Sequence, residues 1–120
     1  MEMSKVATLI QRIIKKTEAQ ELKWEEESSN SFSTQLGTFR VSIIQISPEI
    51  DYEADPDYYF SISNTTGAKE WLDSFSDQDL IKVMPKSFDS MAGLYKDARR
   101  QAKNLDGVLD SLIKSIDDMP

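Results

Sequence analysis

The sequence predicts an α+β domain: an N-terminal helix, a four- or five-stranded antiparallel meander and a long C-terminal helix, with the helices packed on one sheet face. Three observations carry this. Apolar residues recur with a helical period at both ends of the chain and with a period of two in the middle. Turn residues separate the middle runs, and the separations are short enough for neighbouring strands to pair in order. At 120 residues and 39% hydrophobic, the chain suits a single domain over 1–120 that fills one core without disulfides.

The first helix is expected from Ser4 to Gln20. Val6, Leu9, Ile10, Ile13, Ile14 and Thr17 form one stripe, Lys5, Arg12 and Lys16 take the opposite side, and Ser4 suits the N-cap. From Leu22 and Trp24 the period becomes two, with a turn at Ser28-Ser29-Asn30. Phe32, Thr34 and Leu36 then alternate up to Gly37-Thr38, a pair that predicts a type II′ hairpin because glycine supplies the positive φ at its first position. Phe39, Val41 and Ile43 mark the next strand, and Ile44 and Ile46 break its alternation, predicting a bulge or a strand covered on both faces. A loop follows over 47–57. Tyr58, Phe60 and Ile62 give a further strand, and Trp71, Asp73 and Phe75 the last.

A helical turn is expected near Asp77 to Val83, ended by Pro85. A long stripe then runs from Phe88 through Met91, Tyr95, Ala98, Ala102, Leu105, Leu109 and Leu112 to Ile116. Its phase survives Gly107, which predicts one helix of about 30 residues, roughly 45 Å long. A kink at Asn104 to Gly107 is compatible with that single helix, and two helices broken at Asp106-Gly107 are the alternative.

Charge narrows the function. The net charge is −7, and residues 24–86 hold twelve acids against four bases. Phosphate-rich partners are repelled by that middle segment, so neither nucleic acid nor an anionic membrane is expected, whereas a basic protein surface is attracted. The opening residues lead into an amphipathic segment, predicting neither a signal peptide nor a membrane span, and the absence of cysteine suits a reducing cytoplasm. Without histidine or cysteine, the common triads, thiol catalysis and histidine-based acid–base schemes are excluded. The expectation is a protein that is not an enzyme and carries no cofactor.

The acids invite two metal readings, and both fail on spacing. Asp51, Glu53, Asp55 and Asp57 follow the rhythm of a calcium loop, but Pro56 holds the sixth place, where a glycine is needed, and Ile62 the twelfth, where a bidentate glutamate is needed. Pro56-Asp57 could open a magnesium nuclease site, yet the only Glu-x-Lys triplet, Glu21-Leu22-Lys23, precedes it. A metal-dependent hydrolase built on clustered carboxylates is therefore the weakest alternative.

The runs Lys16-Thr17 with Leu22-Lys23-Trp24, Phe39-Arg40-Val41-Ser42-Ile43, Phe60-Ser61-Ile62-Ser63-Asn64 with Gly67, and Leu94 through Ala102 together resemble a group of small, uncharacterised bacterial helix–β-meander–helix domains. That resemblance implies the fold and a bacterial or phage origin, and it assigns no catalytic residue.

The reading these features support is a small acidic interaction protein of inhibitor, immunity, anti-defence or adaptor type that meets a basic surface on another protein. Its expected contacts are Glu25, Glu26, Glu27, Asp51, Glu53, Asp55 and Asp57, with Tyr52 or Tyr58 as aromatic anchor. Trp24 and Trp71 read as packing anchors. An alternative is a domain that binds an anionic small molecule such as a nucleotide through Tyr95, Arg99 and Arg100. Ile44, Ile46, Tyr59 and Leu72 are expected on the sheet face away from the helices, where a partner or a second copy would cover them.

Overall fold

The computed structural model describes residues 1–48, 54–66 and 70–120. Helix α1 (Met3–Glu18) leads into five strands, β1 (Glu25–Ser28), β2 (Ser31–Leu36), β3 (Phe39–Ile46), β4 (Asp57–Asn64) and β5 (Glu70–Ser76), followed by helices α2 (Ser87–Ala102) and α3 (Leu105–Asp117). The strands form one antiparallel meander in sequence order. The α+β class, the N-terminal helix and the strand meander all agree with the sequence.

Alternation decides which face is covered. Phe32 lies opposite Ile43, Val41 opposite Ile62 and Phe60 opposite Phe75, and all six are buried. Val6, Ile10 and Ile13 from α1 and Met91, Leu94 and Ala98 from α2 close over them. Burying one such side chain contributes on the order of 2 kcal/mol, so this single interface holds most of the stability. The opposite positions of the central strands carry Ser33, Ser42, Ser61 and Ser63 around Arg40, with Ile44, Ile46 and Tyr59 at one end. Gly37 takes φ +62 between paired Leu36 and Phe39, the two-residue hairpin its sequence predicts.

Several local expectations change. The residue capping α1 is Glu2, whose carboxylate accepts a hydrogen bond from Ser4, itself the second residue of the helix. Leu22 and Trp24 belong to the connection before β1. The segment 77–83 is a chain of turns, which buries Leu80 through one i to i+4 bond from Met84 N–H. No bulge interrupts β3, whose pairing runs in register from Phe39 to Ile46 on the β4 side. Ile44 instead points to the outer face opposite Tyr59, so consecutive isoleucines serve opposite faces. The bulges fall in the two edge strands, at Glu26/Ser28 and opposite Ile62/Ser63.

The C-terminal helix is broken. Asn104 stands between α2 and α3 with φ 49 and ψ 51, a left-handed conformation that asparagine tolerates better than most residues. Its side chain lies against Gly107, where an added Cβ would come within 2.4 Å of Asn104 Nδ2. The elbow thus needs a residue able to turn left-handed and, three places on, one without a side chain. The apolar stripe does continue in phase, which is why periodicity alone predicts continuity. No residue of α3 is buried, and α2 is its only neighbouring element among the described residues. The radius of gyration, 16.4 Å, exceeds the roughly 14 Å of a compact chain of this length, as a projecting helix requires.

One buried polar residue ties the layers together. Thr17 sits in the apolar stripe of α1 and is fully buried, yet its hydroxyl donates to Ile13 O at 2.7 Å and accepts from Trp24 Nε1 at 3.1 Å. Its carbonyl accepts from Gln101 Nε2 of α2 at 2.7 Å. Thr34 Oγ1 donates to Lys23 O at 2.8 Å, anchoring the same connection to β2. Thr17→Val keeps the shape and orphans the Trp24 indole N–H, so urea denaturation is expected to show a loss of about 1–3 kcal/mol. Thr17→Ser is expected to retain most of that stability.

Candidate interaction surface

The outer face of the sheet is built around Arg40. Because β3 alternates, Arg40 points away from the core, and the serines around it leave it standing above the sheet. Its Nε donates to Ser33 Oγ at 2.8 Å, and its Nη2 donates to Glu25 Oε2 at 2.8 Å. Nη1 reaches Gln35 Oε1 at 3.4 Å, and the Gln35 amide is held in turn by Thr65 Oγ1 at 2.7 Å. Ser42 donates to Glu27, so Glu25 and Glu27 both lean over the sheet from β1. The guanidinium holds the Glu25 carboxyl below the usual glutamate range, first through the hydrogen bond and then through its charge.

The bulge in β5 completes the surface. Phe75 and Asp73 pair with Phe60 and Ile62 on the core side, but the extra residue, Leu72, shifts the register so that Trp71 pairs with Ser63 on the outer side. Leu72 packs against the core and Trp71 is 62% exposed. This reverses the expectation for both residues: Trp71 is no packing anchor and Leu72 is not on the outer face. Trp24 is buried, as expected. Glu25, Glu27, Arg40, Ser63, Glu70 and Trp71 line a shallow cradle of about 580 Å³. The three carboxylates and one guanidinium that line it sum to −2, and Lys23 Nζ stands 4.0 Å from Glu25 Oε1 at its edge. At the other end of the same face lie Ile44, Tyr59 and Ile46, as the sequence predicts, with Ile46 47% exposed.

The remaining predicted contacts scatter. Glu26 points to the helix side, where Lys103 Nζ donates to it at 3.2 Å. The run Glu25-Glu26-Glu27 is therefore divided between two faces and does not act as one patch. Asp55 and Asp57 are exposed beside the start of β4, two strands away from β2. Asp51, Tyr52 and Glu53 lie outside the described residues. Tyr58 cannot be an anchor, since it is buried edge-on to Phe88 and near Tyr95, with ring centroids 5.5 and 5.8 Å away. Its hydroxyl accepts from Gln45 Nε2 at 2.9 Å.

The proposed anionic-ligand residues separate in the same way. Tyr95 is buried against Phe32, with centroids 5.4 Å apart, and desolvation raises its hydroxyl above the usual tyrosine value. Arg99 is exposed beside it along a groove of about 340 Å³. Arg100 faces a different cleft of about 770 Å³ at the α2–α3 elbow, 3.8 Å from Asp106. That cleft also holds Glu18, Glu21 and Asp97, so its acids outnumber its bases and it is unsuited to an anion. No group of three acids among the described residues has metal-ligand geometry.

Compared with known proteins, the chain matches no family model, no curated protein and no solved structure. The surface is therefore interpreted from its own chemistry.

The sequence does not bring Trp71, Glu70 and Arg40 together: alternation alone puts Trp71 with Asp73 and Phe75 on the core side, and nothing in the sequence marks the bulge that turns it outward.

The Arg40–Glu25 pair sets a pH signature. Because the folded-state value of Glu25 is depressed, the pair adds stability above the unfolded value, and that contribution is lost as the pH falls through the depressed one. A carboxyl-detected NMR titration is expected to show Glu25 titrating below the ordinary glutamate range, and Arg40→Met is expected to return it there.

Proposed function

We propose that this chain is a non-enzymatic interaction protein that binds a basic surface of another protein through the outer face of its sheet. Trp71 carries this reading: a large aromatic side chain, mostly exposed, at the rim of a cradle with three carboxylates. Exposed tryptophan is costly to leave in water and common among the residues that dominate binding energy. A lysine or arginine from the partner would stack on its indole while meeting the carboxylates, and each attraction strengthens as water leaves. Arg40, already bonded to Glu25, Ser33 and Gln35, sets the floor of the cradle and keeps Glu25 in place.

The composition supports the same reading. The acidic middle of the chain repels phosphates, which weighs against nucleic acid and anionic membranes as partners. No helix among the described residues is long and apolar enough to cross a membrane. The residue types used by most hydrolases, histidine and cysteine, are missing from the sequence. A charge-steered surface of this kind suits an inhibitor, immunity protein, anti-defence factor or adaptor, and a cytoplasmic setting with a bacterial or phage origin belongs to the same proposal.

The test begins with in-cell crosslinking and mass spectrometry to identify the partner, followed by affinity measurement with purified proteins. Trp71→Ala is expected to weaken binding by about 30-fold or more, the loss of a hot-spot residue. Glu27→Gln with Glu70→Gln is expected to slow association and flatten its salt dependence. Full affinity in Trp71→Ala would remove the outer face from the contact.

A further inference from the structure

The sheet is open, so its two edge strands each carry a row of main-chain groups with no strand beyond, and such a row is a template for another chain. The two edges are unequal. β1 is four residues long, holds three glutamates and is bulged, and each of these features discourages pairing. β5 is seven residues long, carries Trp71, Leu72 and Phe75, and has β4 as its only neighbouring element among the described residues. By length and composition it is the edge more open to extension by a second copy.

Asp77 N–H donates to Tyr58 O at 3.0 Å, towards β4. Main-chain groups alternate along a strand, so the N–H groups of Phe75 and Asp73 also face β4, and those of Ser74 and Ser76 face the open edge. Both outward donors are already taken. Ser74 N–H donates to Asp73 Oδ1 at 2.8 Å, and Ser76 N–H donates to Asp79 Oδ2 at 2.9 Å. Asp79 is fixed in return, its own N–H donating to Ser76 Oγ at 3.1 Å. That reciprocal pair also has the form of a capping box and holds the start of the turns over 77–83. Nearer the beginning of β5, the bulge at Leu72 breaks the regular row. An incoming strand would meet carboxylates where it needs donors, and its carbonyls would be repelled. Edge-to-edge pairing would also bring the carboxylates of both copies together.

We infer that Asp73 and Asp79 close the β5 edge and keep two copies of the chain from pairing through it. The inference is independent of the binding role of the outer face, and neither aspartate lines the cradle.

Two measurements test it. Amide exchange at Ser74, corrected for sequence, is expected to be about tenfold slower in the wild type than in Asp73→Ala, and at Ser76 about tenfold slower than in Asp79→Ala, the loss of one hydrogen bond in each case. Equal rates overturn the inference. Light scattering at about 100 μM is expected to give Asp73→Ala/Asp79→Ala about twice the wild-type mass at the same concentration. Adding Ser74→Pro is expected to return that variant to the wild-type mass, because proline removes the outward donor and leaves the β4 ladder intact. Ser76→Ala loses the cap of the following turn but keeps its own N–H closed by Asp79, and it is expected to hold the wild-type mass. A double variant of wild-type mass overturns the inference. So does an increase that Ser74→Pro leaves in place or that Ser76→Ala reproduces.

Discussion

One constraint organises this molecule: the sheet has a single apolar face, and two helices are enough to cover it. Phe32, Ile43, Val41, Ile62, Phe60 and Phe75 point to one side, and α1 and α2 bury them there. The other side carries serines around Arg40 and, at one end, Ile44, Ile46 and Tyr59, and no element of the chain packs on it among the described residues. Everything beyond the two-layer core must then face water or another molecule. The outer sheet face and α3 are what is left over, and they are left over for the same reason.

The two surfaces differ in physical character. The outer face is small, charged and fixed by an internal network running from Glu25 through Arg40 to Gln35 and Thr65. Such a surface steers and selects more than it grips. The face of α3 is apolar and hangs from an elbow at Asn104, so its stability depends on what buries it.

The fold was legible because its signals are periodic. Alternation at Phe32-Thr34-Leu36 and Tyr58-Phe60-Ile62, the Gly37-Thr38 turn and the stripe of α1 each follow from local physics that tertiary packing reinforces. The candidate surface was far less legible. Acid clusters such as Glu25-Glu26-Glu27 read as one patch in sequence, yet a strand with a bulge divides them between faces. Tyr58 looked like an anchor and is core, because an aromatic in an alternating strand follows the parity of Phe60 and Ile62. Trp71 looked like core and is exposed, because a one-residue bulge reverses parity and leaves no mark in composition. The α2–α3 break was hidden by a stripe whose phase continues across it, although Asn104 and Gly107 carried the chemistry of an elbow.

The central claim is that α1 and α2 saturate the core and leave α3 outside it. Amide hydrogen exchange on a dilute sample tests it residue by residue. The account predicts strong protection at Ile10, Ile13, Met91 and Leu94, with Leu109 to Ile116 exchanging close to the rate of an unfolded peptide. Protection in α3 equal to that in α2 at high dilution would contradict it, since the chain alone would then be holding that helix.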